Sequence, residues 1–488
     1  MDRRSFIGGL FALSGLACRG MPAAFKGRKP NLAFGVISDL HIGTPDMTDK
    51  FERALAYFRD RGADAVIVSG DLTDWGLKSG LKYVKDAWDR VYPGDRGADG
   101  KPVRRLFVTG NHDWDGWWYG DITLDMHLNG YSEEDSLFRH GMKECWEETF
   151  GEPYAEFRTR SVKGYDFISS EYSGAVRSDN DAQMADWMLA HEGELPKDRP
   201  FFFFRHEPIG GTVPGASGKP DALKLRDVLS RFPNCIAFTG HTHWPATDEQ
   251  TIWQEGFTAI SVPSMSYATM PPGRENGHGS RDGKSKASMS VLPARRNLLA
   301  AQGYFVSVFD ESVVVERRDF EDGVELVEPW VFPPTVEKGR PYSYAEHEKT
   351  LPVPQFPAGA AVSVRTVNSE RRDGHWAIFM ELKFPAAMAG KVRVLDYEIR
   401  AVGVDGTVHA KKSYLSPAFY LPERYEPEAV KFMFDGMVLP ETGRYRFEIY
   451  PRCSFGKTGE PIRSREFESV PGKAKAKWSE LRFPPKKK

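Results

Sequence analysis

The chain is short of cysteine, of net charge and of long apolar runs. Its four cysteines, Cys18, Cys145, Cys235 and Cys453, stand far apart in 488 residues, with no Cys-x-x-Cys pair. A zinc ribbon and a disulfide-stapled scaffold are thereby excluded as organising principles. Lysine plus arginine number 66 against 68 aspartate plus glutamate, a formal net charge of −2. A chain so balanced lacks the dominant basic field of a duplex nucleic-acid binder. Its apolar N-terminal run is too short to span a bilayer, so no transmembrane anchor is expected. There is no His-Glu-x-x-His, which disfavours zinc-protease chemistry. What is present, 40% hydrophobic and 27% charged residues, describes a globular protein with ample chain for more than one core.

Residues 1–24 read as an export signal. Arg3 and Arg4 form a charged start, and Phe6 to Ala17 follow as a short apolar and glycine-rich run. Arg3-Arg4-Ser5-Phe6-Ile7 resembles the twin-arginine export motif, with Asp2 before the pair and no lysine after it. The competing reading is an amphipathic helix that stays attached. Ser14-Gly15-Leu16-Ala17-Cys18 has the outline of a lipoprotein cleavage box, but Gly15 stands where a larger apolar residue is usual, so lipidation of Cys18 is the lesser reading. The expected location is periplasmic, cell-surface or secreted.

Residues 30–335 alternate short apolar runs with helical stretches. Phe51, Ala54, Leu55 and Phe58 keep helical spacing before Gly62, and Leu225, Val228, Leu229 and Phe232 do so before Pro233. Buried-strand candidates lie between such helices at 32–37, 65–68, 106–108, 201–204 and 235–238, and two later ones at 304–309 and 313–317. This is the pattern of a layered α/β domain. An insertion of about 114–165 begins with Trp114, Trp117, Trp118 and Tyr119. Packing of these aromatics onto the body outweighs stacking on a base or sugar. Residues 271–288, rich in glycine, serine and charge, read as a mobile surface loop. Residues 355–470 show strand-like runs at 375–384, 392–402 and 445–450 and no convincing helix, which suggests a small antiparallel β-sandwich. Gly456-Lys457-Thr458-Gly459 reads as a turn rather than a phosphate loop. Residues 471–488 read as a frayed basic tail.

Five of the strand candidates run into polar residues of metal-ligand type. They lead to Ser38-Asp39-Leu40-His41, Gly70-Asp71-Leu72-Thr73-Asp74, Gly110-Asn111-His112-Asp113, Arg205-His206-Glu207 and Gly240-His241-Thr242-His243. Ligands gather beyond the carboxyl ends of strands in layered α/β folds. Residues i and i+2 of an extended segment face the same side, so Asp39 and His41 can share a site, as can His241 and His243. Glycines before Asp71, Asn111 and His241 permit tight turns and close backbone approach. A Gly-His-x-His is expected only about 0.03 times by chance in such a composition. Carboxylate, carboxamide and imidazole without thiolate suit Mn, Fe, Zn or Co. As mere strand-end residues, so many polar groups would converge without a partner, which is costly once desolvated.

The ordered set Asp-x-His, Gly-Asp, Gly-Asn-His-Asp, His and Gly-His-x-His, from Asp39 to His243, resembles the calcineurin-like metallophosphoesterase superfamily. The smaller C-terminal antiparallel β-sandwich, which carries no catalytic signature, loosely resembles the fibronectin-III or Ig-like domains of exported hydrolases. The superfamily resemblance implies a four-layer α/β/β/α sandwich with a two-metal site between its sheets. It implies one divalent ion held by Asp39, His41 and His243, a second by Asn111, His206 and His241, and Asp71 bridging both. His112 would face the phosphate and the leaving group, oriented by Asp74 or Asp113. Purple acid phosphatases carry a tyrosine ligand three residues after the bridging aspartate. Here that position is Asp74, which argues against a tyrosinate–iron site. The implied activity is hydrolysis of phosphate mono- or diesters by a metal-bridging hydroxide, with His112 as acid and charge stabiliser. The expected partner is the phosphoester substrate, with no nucleic acid beyond a possible substrate. Two rivals are a non-catalytic metal-containing surface-binding protein, whose mark would be a missing ligand or a missing His112, and a nuclease of the same superfamily.

Overall fold

The computed structural model describes residues 21–115, 137, 141–172, 180–269, 271, 273–276, 296–297, 300–370, 376–420, 429–435, 439 and 443–468. The expected export signal up to residue 20, the aromatics Trp117, Trp118 and Tyr119, and the basic tail lie outside the described residues.

Two sheets form the centre of the first domain. In one, strands Leu32–Ile37, Ala65–Ser69 and Arg104–Val108 are parallel, and Leu32–Ile37 also pairs antiparallel with Gln302–Val308. That strand pairs with Val313–Asp319, which carries Val324–Glu325 and Trp330–Phe332. The other sheet runs in the order Phe157–Val162, Tyr165–Ser170, Phe201–Arg205, Cys235–Thr239, Thr258–Ser261, Ile252–Gln254. Its middle strands are parallel and buried throughout, which accounts for near-continuous apolar runs such as Phe201 to Phe204.

The sheets pack face to face. Phe34, Val36 and Ile67 of the first share one core with Phe202, Phe238 and Ile260 of the second, and the Phe34 and Phe202 rings meet edge-on at 4.8 Å. Helices Asp49–Asp60, Lys78–Val91 and Met142–Phe150 cover the outer face of the first sheet. Helices Asn180–Ala190 and Pro220–Leu229 cover that of the second. The architecture is thus the four-layer α/β/β/α sandwich. Alternate residues of each strand feed the inter-sheet core and a helix-covered core.

The C-terminal region forms two antiparallel sheets around their own core. Ser363–Glu370, Trp376–Phe384 and Val430–Asp435 make one. Val408–Leu415, Asp396–Gly403 and Arg444–Arg452, with two short edge strands, make the other. Leu382 and Phe434 of the first pack with Ile399 and Phe447 of the second. Three of these strands, 363–370, 408–415 and 430–435, are absent from the sequence reading, and a short helix, Pro417–Tyr420, stands where none was expected. Val408–Leu415 carries His409, Lys411 and Lys412, so it shows no apolar alternation to read.

Helix Tyr344–Thr350 lies between the domains. Its N-terminus is capped by Ser343 and its C-terminus by Lys457, whose Nζ donates to the carbonyls of Glu348 and Leu351 at 3.0 and 2.8 Å. The Gly456–Gly459 stretch is therefore a cap for a helix of the linker. His347 is buried and lies 3.2 Å from Glu249. The beginning of the expected surface loop is pinned: Arg274 Nε donates to Asp396 and the Glu275 N–H to the Ser413 carbonyl, both at 2.8 Å. Cys145, Cys235 and Cys453 are buried and unpaired. Among the described residues, no helix is long and apolar enough to cross a membrane.

Candidate metal centre

Every candidate ligand follows directly on a strand that ends at the same edge of the sandwich. Asp39 and His41 follow Leu32–Ile37, Asp71 follows Ala65–Ser69, and Asn111 opens the short helix after Arg104–Val108. His206 follows Phe201–Arg205, and His241 and His243 follow Cys235–Thr239. The convergence is not achieved by pleating. Asp39, His41, Asp71, His241 and His243 all have positive φ, between 49° and 73°. They are five of only eight such non-glycine residues among those described. Left-handed backbone costs a non-glycine residue roughly 1–2 kcal/mol, so neighbouring bonds must hold it. Here the Asp39 N–H donates to the Gly70 carbonyl at 3.0 Å and the His41 N–H to the Asp71 carbonyl at 3.1 Å. A side chain at Gly110 would strike Asp71 Oδ1 and one at Gly240 would strike Ser38, so both positions exclude a Cβ.

The candidate residues form two groups that share Asp71. In the first, His243 Nε2 lies 3.0 Å from Asp39 Oδ1 and 3.2 Å from His41 Nε2, and His41 Nε2 lies 3.6 Å from Asp71 Oδ2. In the second, Asn111 Oδ1 lies 2.9 Å from His206 Nε2 and 2.8 Å from His241 Nδ1, and His206 Nε2 lies 3.3 Å from Asp71 Oδ2. Asp39, His41, Asp71 and His243 place one donor atom each within 4.8 Å of the others and are all buried. His241 sits at the solvent-facing rim.

Ring orientation tests whether this donor set fits a cation. His206 Nδ1 donates to the Ser69 carbonyl at 2.8 Å, and His243 Nδ1 to the Tyr267 carbonyl at 3.2 Å. His41 Nδ1 donates to Asp74 Oδ1 at 2.9 Å. A carbonyl can only accept, so the Nδ1 atoms of His206 and His243 carry the protons, and the bond to Asp74 favours the same tautomer in His41. Their Nε2 lone pairs are then aimed at one another and at carboxylate oxygens. Such facing acceptors repel unless positive charge lies between them, so the set fits a metal ion. The electrostatics show the same demand for positive charge, which without an ion a second proton on the rings would meet. Burial disfavours the charged His41 ring, yet Asp74 and Asp71 outweigh it and push its pKa up to about 9. His206 is likewise raised to about 10 by Asp71 against burial. Asp39, despite its burial, is held at about 2 by His243, and Asp71 is held well below the usual carboxylate range by His206. The pocket attracts cations.

His112 and the two carboxylates expected near it have separate surroundings. Its N–H donates to Asp71 Oδ1 at 2.8 Å and its Nδ1 to the Asp74 carbonyl at 2.9 Å, while Asp74 Oδ1 is 3.5 Å from Nδ1. The ring stands edge-on to His41 at 4.4 Å. Asp113 is fully buried and turned elsewhere. It accepts from the N–H groups of Leu72, Thr73 and Gly110 at 3.1, 2.7 and 2.8 Å and from the Thr73 hydroxyl at 2.9 Å. It ties the Gly-Asp loop to the Gly-Asn-His loop. Of the two residues left open by sequence, Asp74 is the one bonded to His112.

Two supporting residues escaped sequence reading. Tyr267 accepts from His243 through its carbonyl and lays its ring 4.1 Å from the His243 ring. No motif surrounds it. Glu171, buried, accepts from the N–H and hydroxyl of Thr109, just before the Gly-Asn-His loop, and pairs with Arg158. It too follows directly on a strand, Tyr165–Ser170, which was a usable signal.

Residues 32–245 match the family model of the calcineurin-like phosphoesterases. This part of the chain is a calcineurin-like phosphoesterase domain. No curated protein sequence matches the chain. Among solved structures, a dimetal phosphatase from Danio rerio shares 12% identity over 63% of this chain and 100% of its own, with a TM-score of 0.38. A purple acid phosphatase from yellow lupin (Lupinus luteus) seeds shares 14% identity over 62% of this chain and 55% of its own, with a TM-score of 0.40.

Proposed function

We propose that the chain is an exported phosphohydrolase that cleaves phosphate mono- or diesters with two divalent ions, one held by Asp39, His41 and His243 and one by Asn111, His206 and His241, with Asp71 shared. The observation that carries this reading is the pair of donor groups meeting at Asp71, with the Nε2 atoms of His41 and His243 facing one another across the first and His206 Nε2 and His241 Nδ1 gathered on the Asn111 carboxamide oxygen in the second. Nitrogen and oxygen donors without thiolate suit Mn, Fe, Zn or Co. Such ions, when bound, neutralise phosphoryl oxygens and make a water acidic enough to act as the nucleophile near neutral pH.

The remaining work falls to His112. Its Nδ1 proton is donated to the Asp74 carbonyl, so Nε2 is the atom that would carry acid chemistry. Burial holds its pKa below the ordinary histidine value. A bound phosphoryl anion opposes that effect, so the ring gains its second proton when substrate arrives and can pass it to the departing alkoxide. Asp74 orients His41 and His112 together, and Asp113 fixes the loops that carry Asp71 and His112. The retention of His112 favours an enzyme over a binding protein with a degenerate site. The Arg3-Arg4 start and the apolar run behind it support export.

The test is an activity panel on metal-reconstituted protein: an aryl phosphate, a bis-aryl phosphate, a cyclic nucleotide and a phospholipid. Hydrolysis of at least one, lost with chelator and regained with metal, is expected. Metal-loaded protein that turns over none of them would overturn the reading.

A further inference from the structure

Two stretches hold His243, and both are fastened to the C-terminal sandwich. The first follows the Gly-His-x-His loop. Trp244, next to His243, donates its indole N–H to Asp248 Oδ2 at 2.8 Å. The other oxygen of Asp248 accepts from the Ser454 hydroxyl at 2.8 Å. Ser454 Oγ in turn accepts from the Glu249 N–H at 3.2 Å, and Thr247 Oγ1 donates to the Phe419 carbonyl at 2.7 Å. Thr247, Asp248, Glu249 and Ser454 are all at most 4% exposed, so these bonds are shielded from water.

The second stretch is the loop through Tyr267. Besides the Tyr267 contacts with His243, the Thr269 N–H donates to the His243 carbonyl at 2.8 Å. Further along, Arg274 Nε reaches Asp396, which is itself bound by two nitrogens of Arg452 at 2.6 and 2.8 Å. Asn276 exchanges hydrogen bonds with the backbone of Leu415. His243 is thus clasped by two segments whose far ends rest on strands and loops of the other domain. Of the residues assigned to the other ion, His206 and Asn111 are tied within the first domain, to the Ser69 carbonyl and to Glu171 through Thr109, and His241, though in the same loop as His243, has its N–H held by the Asp39 carboxylate.

We propose that the C-terminal sandwich is a positioning element of the metal centre, acting through Ser454 and Asp396 on the stretches that hold His243, and setting the affinity of the ion held by Asp39, His41 and His243. The inference rests on the dinuclear reading above. Ser454 and Arg274 are positioning residues, since neither touches the reacting atoms. A misaligned imidazole loses its bond energy to the ion while the fold survives, because the substitutions remove only a few polar contacts and leave the hydrophobic cores of both domains intact.

The experiment is a chelator-competition titration with Mn(II) on the full chain, comparing wild type with Ser454→Ala, Arg274→Ala and the double variant. Phe434→Leu, which loosens the sandwich core away from these contacts, is the control, and a thermal melt of each metal-free protein reports the fold. In the double variant one equivalent is expected to bind about 10-fold more weakly, the low end for outer partners of metal ligands, with the other equivalent within about twofold of wild type. The control is expected to melt earlier yet titrate as wild type. Wild type taking two equivalents while the double variant titrates identically would overturn the inference alone. Equal weakening of both equivalents, or the same weakening in Phe434→Leu, would also overturn it. A wild-type chain that takes up no Mn(II) would overturn the dinuclear reading and this inference together.

Discussion

Asp113→Asn separates a knot between loops from a catalytic acid. The wild-type carboxylate accepts four hydrogen bonds, two on each oxygen: Thr73 N–H and hydroxyl on Oδ1, Leu72 and Gly110 N–H on Oδ2. Asparagine has the same shape but one of its two ends is a donor. Whichever way it turns, two backbone or hydroxyl donors lose their acceptor, unless the Thr73 hydroxyl rotates away. At about 1.5–3 kcal/mol for each bond to a charged group, the gross loss is about 3–6 kcal/mol. Relief of a buried charge opposes it, since burial and Asp71 push this carboxyl up to about 7 against its four donors. A net destabilisation of about 2–4 kcal/mol remains, which for a domain of this size lowers Tm by roughly 3–6 °C. The assay is a thermal melt of metal-free protein with metal analysis of the survivors. Asp74→Asn, at a half-buried position, is the contrast and should leave Tm nearly unchanged. An Asp113→Asn variant that melts with wild type would refute the knot and return Asp113 to the chemistry.

Three further outcomes are expected. His112→Ala should keep its metals and lower kcat by about 10²–10⁴-fold, and unchanged single-turnover rates would remove His112 from the mechanism. Asp71→Asn should deplete both ions together, because one carboxylate serves both groups; full occupancy by elemental analysis would contradict the sharing. Burial raises the Glu249 carboxyl, but Arg317 and His347 outweigh it and hold it at about 2, below an ordinary value of 4.5. A lowered carboxyl pKa contributes stability that is complete above pH 4.5 and is lost as pH falls toward 2, on the order of 3 kcal/mol. Melts from pH 6 to pH 2 should therefore fall more steeply for wild type than for Glu249→Gln, and parallel curves would dismiss the network.

The strands of the first domain were legible because they are buried on both faces and read as unbroken apolar runs: 32–37 and 201–204 emerge at nearly the observed bounds. The candidate site was legible because its residues follow those strands directly. The reason given for their convergence was wrong in kind, since Asp39 and His41 meet through left-handed turns and not through an extended backbone. Edge strands such as 408–415 escaped because charged residues line both their faces. Tyr267 escaped because it acts through a carbonyl, which every residue possesses. The contacts of Ser454 and Asp396 with the first domain join positions about 120 to 206 residues apart, beyond the reach of any local pattern.

The enclosed thiols link durability to redox behaviour. Burial raises the pKa of Cys145, Cys235 and Cys453, so each stays a neutral thiol, and the thiolate is the form that oxidants attack. Oxidant can therefore reach these three sulfurs only in molecules that have opened. In an oxidising compartment each opening risks mispairing and permanent loss, so a substitution that loosens the fold shortens the protein's working life even where it leaves turnover untouched.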